Sequence, residues 1–267
     1  MAKKKISPIN EEFDFKLLVT IARKNTMWFA LFLMTSVVSA MLILRYTAPV
    51  YEATSVIQLS EQDNARGILN NAQFNRFNET NNKLASSIEL MRSRVIVERA
   101  LLRLPLQVSY YSKGEILTNE LYTQSPFRVE TRIKDSSIIG QPIFIDFLTK
   151  NSFKLFLKST AIESLQSKTF KDNEWIITPA ADFKISINDY ATIQALQQEL
   201  SKDAFYFKLN NLTGLAAQII KELNITPLNT EARTIQIKLK DKNQAKATDI
   251  VNGIAVSYTH LTLPTKA

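Results

Sequence analysis

One stretch of the chain is uncharged and almost wholly apolar. It covers residues 25–44, is bounded by Lys24 and Arg45, and has the sequence NTMWFALFLMTSVVSAMLIL. About 20 residues of helix cover the roughly 30 Å hydrocarbon core of a bilayer, and a helix satisfies its backbone polar groups internally. The pattern therefore predicts a transmembrane helix over residues 25–45.

Basic residues before the span predict its orientation. Residues 1–24 carry Lys3, Lys4, Lys5, Lys16, Arg23 and Lys24. Positive charge close to a first span is normally kept in the cytoplasm. We therefore expect residues 1–24 to be a cytoplasmic leader and the long remainder to lie outside the membrane. Trp28, Tyr46 and Tyr51 suit the two headgroup layers, where amphipathic rings are favoured.

A cleaved signal peptide and a buried helix of a soluble protein are the alternatives to a permanent anchor. Residues 38–40 offer a small-residue cleavage site, but the apolar run continues to Leu44 instead of turning polar. A buried helix of a soluble protein usually carries a polar stripe about every 3.6 residues, and this stretch has none. Both observations favour an uncleaved anchor.

The pattern beyond the span predicts a strand, a loop and a helix. Residues 50–59 are rich in β-branched and aromatic side chains, which predicts a strand that starts almost at the membrane, with Pro49 ending the preceding helix. Residues 60–82 are polar and rich in Asn and Gln, which predicts a mobile loop. Residues 83–104 predict a helix stopped by Pro105.

The apolar stripe of this helix fits two uses. Its members are Leu84, Ile88, Met91, Val95, Leu101, Leu102 and Leu104. We expect the stripe to pack into the core, and the alternative is a contact face for a partner.

The rest of the chain mixes short strands with helices. We expect strands at 106–111, 127–133, 142–148, 152–157 and 174–177, so that residues 127–187 form a β-rich insert. The last third predicts a strand at 205–209, a helix at 212–223, an extended link at 225–227, a strand at 234–239 and a helix from Asn243 capped by Asp241. The predicted fold class is α+β, with one N-terminal transmembrane helix followed by a mixed α/β domain.

Composition narrows the function classes. The chain has 267 residues and no cysteine, so the exported part is held by packing and not by disulfides. The net charge is +8, but the basic residues are dispersed among Asp and Glu without an Arg-rich block. This distribution argues against nucleic acid and suits acidic glycans or lipid headgroups.

The sequence favours no enzymatic chemistry. The five glycines are too far apart for a phosphate-binding loop or a dinucleotide fingerprint. The single histidine, His260, lies near the end of the chain, which argues against a catalytic triad or a histidine-rich metal site. Paired carboxylates remain open in principle, although a solvated surface explains the scattered acids. We expect no catalytic, cofactor-binding or metal-binding residues and no cofactor.

Three stretches, taken in order, resemble a known family. Residues 46–53 (YTAPVYEA) directly after the span resemble the membrane exit of Wzz-type chain-length determinants and of the bacterial tyrosine autokinases that share their exported domain. Residues 88–96 (IELMRSRVI) with 104–111 (LPLQVSYY) are similar to a helix and strand of that domain. Residues 235–243 (IQIKLKDKN) with 246–252 (KATDIVN) resemble a later strand and the helix it feeds. The resemblance covers most of residues 13–255 and is weakest in the insert.

The resemblance implies a polysaccharide co-polymerase. Members of this family have two spans around an exported α/β domain, assemble into rings, and set the length of lipopolysaccharide, capsule or exopolysaccharide chains. It implies a periplasmic domain at residues 46–255, self-association, and polymerase and export proteins as partners. A second span, long coiled-coil helices and a kinase domain are missing from this sequence.

The last residues, 256–267 (VSYTHLTLPTKA), do not continue the pattern of the final helix. β-Branched residues and Pro264 predict that the helix is interrupted at Val256. The segment resembles translated sequencing-adapter read-through, which predicts a non-native tail in which His260 has no role and a chain that is the front part of a longer protein.

The sequence thus predicts a bacterial inner-membrane chain-length determinant, from the N-terminal part of a tyrosine autokinase, that acts as a scaffold. The alternatives are a membrane-anchored periplasmic ligand sensor and an extracytoplasmic enzyme. A concentrated pocket favours the sensor, and an apolar stripe between protomers favours the scaffold.

Overall fold

The structure is a computed structural model that describes residues 19–20, 23–59, 73–114, 117–157, 168–199 and 204–262, without the side chains of residues 73–81, 157, 199 and 262. The chain divides into two compact units, Met1–Ala48 and Pro49–Ala267. The helices are α1 (Thr26–Tyr46), α2 (Gln73–Arg92), α3 (Arg94–Leu102), α4 (Tyr190–Glu199), α5 (Leu212–Glu222) and α6 (Gln244–Thr262).

The strands are short and pair in antiparallel ladders. They are β1 (Tyr51–Gln58), β2 (Val108–Lys113), β3 (Thr118–Glu120), β4 (Phe127–Ile133), β5 (Ile143–Thr149), β6 (Ser152–Leu157), β7 (Thr169–Lys171), β8 (Trp175–Ile176), β9 (Ala181–Ile187), β10 (Phe205–Leu209), β11 (Asn224–Asn229) and β12 (Thr234–Asp241). Antiparallel pairing of mixed helices and strands confirms the predicted α+β class.

Helix α1 is the main described element of the first unit. It begins one residue after the predicted start and ends at Tyr46, where the Thr47 N–H donates to the Ile43 carbonyl. Pro49, which has no N–H, follows shortly after, so the chain leaves the helix in an extended conformation. Most of the predicted leader, residues 1–18, 21 and 22, lies outside the described residues.

The second unit contains a helical lobe, which consists of α2, α3, α5, α6 and a three-stranded sheet in the order β1-β12-β11. Strand β12 alternates as predicted: Ile235, Ile237 and Leu239 are buried, whereas the residues between them are partly exposed or exposed. These residues join the helices in one core, whose other large members include Met91, Ile96, Leu101, Ile250 and Ile254. Burial of this single sheet face fixes the register of the central strand.

The same unit contains a β lobe of two sheets and helix α4. A six-stranded sheet in the order β3-β2-β10-β5-β6-β7 faces a three-stranded sheet in the order β4-β9-β8. Their shared core is aromatic: Phe127 meets Tyr110 and Phe205 edge to face, with ring centroids 5.3 and 5.9 Å apart. Such T-shaped pairs are favoured by the ring quadrupoles.

The predicted β-rich stretch is present but does not form a sheet system by itself. Strands β4, β6 and β10 have the predicted bounds, and β5 and β8 lie within one residue of theirs. Strands β2 and β10 lie outside residues 127–187, yet both sit inside the six-stranded sheet. The β lobe therefore uses chain from both sides of the predicted insert.

The prediction of a loop at residues 60–82 is wrong for residues 73–82, which begin α2. Residues 60–72 lie outside the described residues. Leu84 and Met91 are buried against the helical lobe and anchor the later turns of α2. Once those turns form, each upstream residue adds one hydrogen bond at small cost, so even an Asn-rich stretch can extend the helix.

The single helix predicted at 83–104 is two helices separated at Ser93. Ser93 has extended backbone angles and its hydroxyl accepts the Ile96 N–H at 3.5 Å, which caps α3. The break shifts the buried face by one residue, so Ile96 and Val97 enter the core. The core positions predicted for Val95 and Leu102 are wrong, since these side chains are 64% and 66% exposed.

Two further predictions about elements need correction, and one helix was missed. The extended link at 225–227 is part of β11, an edge strand that tolerates Pro227. Helix α4 was not predicted, although Asp189 caps it by accepting the Thr192 N–H at 3.1 Å. The cap of α6 is Asn243, whose side-chain oxygen accepts the Lys246 N–H at 3.0 Å, and not Asp241.

The predicted interruption of the last helix at Val256 is wrong. Helix α6 continues to Thr262, and Tyr258 is 7% exposed with its hydroxyl donating to Ser87 Oγ at 3.0 Å. Pro264 lies beyond the last helical residue, so the helix keeps its backbone bonds through this stretch. The suggestion that residues 256–267 are a non-native tail remains a prediction.

Candidate functional site

Helix α1 presents an apolar surface on all sides. None of its residues is buried, and its one charged residue is Arg45 in the last turn. Among the described residues it is the one helix that is long and apolar enough to cross a membrane. Leaving about sixteen apolar side chains in water is strongly unfavourable, whereas a bilayer solvates all of them.

The chain passes from this helix into the sheet of the helical lobe within a few residues. Tyr51, the first residue of β1, pairs with Asp241, the last residue of β12, and the ladder continues without a bulge to Gln58 opposite Thr234. The exit from α1 is therefore followed at once by backbone that is hydrogen-bonded into the lobe.

A buried polar network lies beside that end of the sheet, and we call it the Lys246 network. Lys246 Nζ lies 2.8 Å from Glu120 Oε2 and 3.3 Å from Asp241 Oδ2. The Asn243 amide donates to the Glu120 carbonyl at 2.7 Å. The side chains of Lys246, Glu120 and Asp241 are 12%, 11% and 20% exposed. Because Glu120 belongs to β3 and the others to the helical lobe, the network joins the two lobes.

Electrostatics keeps the network charged. Burial alone lowers the pKa of Lys246, but the Glu120 and Asp241 carboxylates outweigh burial and raise it above its ordinary value. Glu120 Oε1 is buried and has no hydrogen-bond partner among the described residues. The network is thus an ion cluster whose charges depend on one another.

Tyr122 forms a second link between the lobes. It lies in the short 3₁₀ segment Tyr122–Gln124 between β3 and β4, yet its ring packs into the core of the helical lobe. Its hydroxyl donates to Asp249 Oδ2 at 2.9 Å. Burial, followed by this bond to a carboxylate, raises the Tyr122 pKa. The residue has a φ of 49°, a left-handed conformation that its contacts must stabilise.

One face of α3 is exposed and largely apolar, and we call it the α3 face. It consists of Val95, Arg99 and Leu102, which recur at helical spacing. Val95 and Leu102 are the exposed members of the predicted apolar stripe, whereas Met91 and Leu101 are buried. The stripe therefore serves the core in part and leaves a small contact face.

A cleft of about 700 Å³ lies where the loop after α3 meets the β lobe, and we call it the interlobe cleft. Its wall includes consecutive residues of β4 and the 3₁₀ segment after β3. The lining residues are Arg103, Leu104, Pro105, Gln107, Val108, Tyr110, Tyr122, Thr123, Ser125, Arg128, Val129, Glu130, Thr131 and Ser186. Guanidinium, hydroxyl and amide groups in such a cleft suit a polar ligand better than an apolar one.

Of these features, the sequence singled out only the apolar stripe that contributes to the α3 face, as an alternative contact face for a partner. It predicted no catalytic, cofactor-binding or metal-binding residue. Within the described residues, the structure has no cluster of His, Cys, Asp or Glu that could hold a metal ion. Lys246 and Glu120 are far apart in sequence, and their contact follows from the packing of β3 against the start of α6. His260, which the sequence set aside, is exposed on α6. In the sequence, the α3 face is indicated by the high proportion of apolar residues at 95–102 (VIVERALL).

The comparison with protein families gives one match. The family model of Wzz, chain length determinant protein, matches residues 11–104. No curated protein matches the chain significantly. The match covers the second half of the leader, the span, the membrane exit and the first helices of the second unit, and it confirms the resemblance to Wzz-type proteins over that region. Together with α1 it indicates a membrane-anchored protein with a general role in polysaccharide chain-length determination.

Proposed function

We propose, from the Wzz chain-length-determinant region at residues 11–104, that this chain is a polysaccharide co-polymerase of the bacterial inner membrane. The leader lies in the cytoplasm, α1 crosses the membrane, and both lobes lie in the periplasm. The chain regulates the polymerisation and export of lipopolysaccharide, capsule or exopolysaccharide. The observation that carries this proposal is the family match across the span, its exit and the first helices.

The mechanism we propose is scaffolding by a homo-oligomer. Confining protomers to a membrane raises their effective concentration, so a small contact face is enough for assembly. The α3 face supplies that contact. The Lys246 network holds the two lobes of each protomer together, which allows a closed ring of protomers beside the polymerase and exporter.

Assembly is tested with the full chain in lipid nanodiscs or native membranes. The double variant Val95→Lys/Leu102→Lys places charge on the α3 face, and we expect cross-linked oligomers to fall to a small fraction of the wild-type yield. Because both side chains are exposed, the melting temperature stays within a few degrees of wild type.

The matched control is Val56→Lys, which adds charge at an apolar side chain that is 51% exposed on β1. It leaves the yield of oligomers unchanged. Equal loss of oligomers in both variants, or no loss in the double variant, contradicts assembly through the α3 face.

We also propose that this chain catalyses no reaction itself. In this account the chain contributes binding and geometry, and any kinase activity resides in a tyrosine autokinase of which this chain is the N-terminal part. The intact reading frame tests that origin. A second span followed by a P-loop and a tyrosine-rich end supports it, and a stop soon after a second span supports a plain determinant.

A second candidate function is a membrane-anchored periplasmic ligand sensor, which the interlobe cleft supports. A sensor transmits occupancy of the cleft through α1, whereas a scaffold sets chain length through assembly. One comparison of variants distinguishes the sensor from the scaffold. Substitutions in the cleft abolish the output of a sensor, whereas substitutions on the α3 face abolish the output of a scaffold.

A further inference from the structure

The wall of the interlobe cleft is the free edge of a strand. Strand β4 pairs with β9 on one side, and among the described strands its other edge has no partner. Four consecutive residues, 128–131, line the cleft. Consecutive residues of a strand can share one wall only where the strand presents its edge and not one of its faces.

Three of the backbone groups on this edge are already occupied. The Tyr110 hydroxyl accepts the Val129 N–H at 3.0 Å, and Ser125 Oγ accepts the Phe127 N–H at 3.4 Å while donating to the Phe127 carbonyl at 2.7 Å. In an antiparallel ladder, residues two apart direct their N–H and C=O groups to the same side. The corresponding groups of Thr131 therefore point toward the cleft.

Thr131 also contributes a side-chain atom without a partner. Its Oγ1 is buried and makes no hydrogen bond among the described residues. A buried hydroxyl without a partner costs about 1–3 kcal/mol, so such groups are rare unless something else satisfies them. Thr131 thus holds an unpaired hydroxyl that is buried behind the wall of the cleft, and a rotation of its side chain would be needed to present this group to a ligand.

Two guanidinium groups give the cleft its charge. Arg103 and Arg128 line it from the two lobes, and within the described part of the chain neither has a carboxylate at ion-pair distance. The one acidic side chain in the lining, Glu130, lies 3.6 Å from Lys184. Guanidinium groups are well suited to bind carboxylate or phosphate through two parallel hydrogen bonds.

From these features we infer that the interlobe cleft binds a hydroxylated sugar ring that carries one anionic group. The anion pairs with Arg103 and Arg128, and the ring hydroxyls bond to Ser125, Gln107 and, once its side chain rotates toward the cleft, Thr131. The volume of about 700 Å³ suits one or two sugar rings. That the sugar belongs to the polymerised glycan rests on the proposed function, but the chemistry of binding does not.

A peptide strand is a less suitable occupant. Strand addition needs a run of unpaired N–H and C=O groups along an edge. Here the Phe127 and Val129 N–H groups are taken by side chains of the chain itself. A single free position can bond a sugar hydroxyl but cannot support a ladder.

The test uses the full chain in nanodiscs and four small probes, with binding measured by calorimetry and saturation-transfer NMR. Glucuronate and glucose 1-phosphate carry a ring and an anion, glucose carries the ring alone, and inorganic phosphate carries the anion alone. We expect the two anionic sugars to bind at least about tenfold more tightly than glucose or phosphate. Arg128→Gln weakens their binding by about tenfold or more, because a hydrogen bond to a charged group is lost.

Two variants separate binding from structure. Lys150→Gln, in the turn between β5 and β6, removes an exposed cation outside both the cleft and the α3 face and leaves binding unchanged. Thr131→Val weakens sugar binding several-fold yet leaves the melting temperature equal or higher, because it removes a buried hydroxyl that has no partner. A lower melting temperature with unchanged binding would show that Thr131 is structural and overturn its role here.

The other outcomes are equally decisive. No binding of any probe, phosphate binding as tight as the anionic sugars, or binding that Arg128→Gln leaves intact overturns the inference, as does preferential binding of an extended peptide. Because Arg128 is not on the α3 face, oligomer assembly in this variant is a separate readout. Failure of sugar binding with normal assembly rejects this inference alone, whereas failure of assembly with normal sugar binding rejects the proposed scaffold.

Discussion

Lys246 holds two carboxylates from different lobes within ion-pair distance. Replacing it with Met removes the cation and leaves Glu120 and Asp241 close together in a poorly solvated place. Breaking a buried ion pair in this way costs about 3–5 kcal/mol. We therefore expect Lys246→Met to lower the free energy of unfolding by that amount in chemical denaturation of the chain in nanodiscs.

Lys240→Met is the matched control for this prediction. Lys240 lies 3.8 Å from Glu52, but its side chain is 68% exposed, so its loss costs under about 1 kcal/mol. If the two variants are equally stable, the Lys246 network does not join the lobes as described.

Tyr122 gives the stability a pH dependence with a definite sign. Folding raises the pKa of both Tyr122 and Lys246 above their ordinary values of 10.0 and 10.5. For such groups the stabilisation is complete below the unfolded-state pKa and is lost as the pH rises through the folded-state pKa. We expect the melting temperature to fall above about pH 10, where both groups begin to titrate in the unfolded chain.

The variant Tyr122→Phe tests whether Tyr122 causes the fall in melting temperature above pH 10. The variant loses the hydrogen bond to Asp249, so it is less stable at neutral pH by about 1–2 kcal/mol, but its melting temperature falls less steeply above pH 10. A wild-type slope that persists unchanged in the variant places the titrating group elsewhere.

At this scale the sequence predicted little of the site. The contacts of Lys246 with Glu120 and of Tyr122 with Asp249 join residues that are distant along the chain. No local sequence pattern marks such pairs, because a Lys or Tyr in a buried contact looks the same in the sequence as one in a solvated loop. Thr131 is likewise an ordinary strand residue until the edge of β4 is known.

At the scale of elements, α3 and α6 pack directly against each other, with Gly253 of α6 facing Ala100 of α3. A methyl group added at Gly253 would lie 3.5 Å from Ala100 Cβ, an ordinary contact. Gly253→Ala therefore fits, and its better helix propensity stabilises the chain by up to about 1 kcal/mol. Gly253→Leu overpacks the contact and destabilises it by about 1–3 kcal/mol. Thermal unfolding of both variants measures the difference.

Gly214 in α5 provides the comparison. A Cβ there would meet only Asn211 atoms, at 3.9–4.0 Å, so Ala and Leu at this position are both tolerated. If Gly253→Leu behaves like Gly214→Leu, then α3 and α6 do not approach each other as described.

Elements with strong periodicity were predictable from the sequence, and elements that depend on tertiary contacts were not. Strand β12 and the strands of the β lobe alternate clearly, so their positions followed from the residues. The break at Ser93 needed knowledge of which side of α3 faces the core. The first turns of α2 have little helical signal of their own, and the end of α6 is held by the contact between Tyr258 and Ser87.

At the scale of the whole molecule, the sequence identified the α+β class and the candidate span. It did not predict that the β lobe recruits β2 and β10 from outside the β-rich stretch, because strand order is set by long-range pairing. The predicted limits of the domains, 46–255 for the exported part and 256–267 for a non-native tail, remain predictions. The two lobes meet at the Lys246 network and the interlobe cleft, and both are products of that long-range topology.

The length distribution of the polysaccharide made in living cells tests the proposed function most directly. The chain is expressed, at matched levels and with membrane insertion verified, in cells that carry its own polymerase and lack any other chain-length determinant. Gel electrophoresis of the polymer should show a discrete modal length with the wild-type chain, and a broad distribution with Val95→Lys/Leu102→Lys. A broad distribution with the inserted wild-type chain, or an unchanged modal length in its absence, would contradict the account.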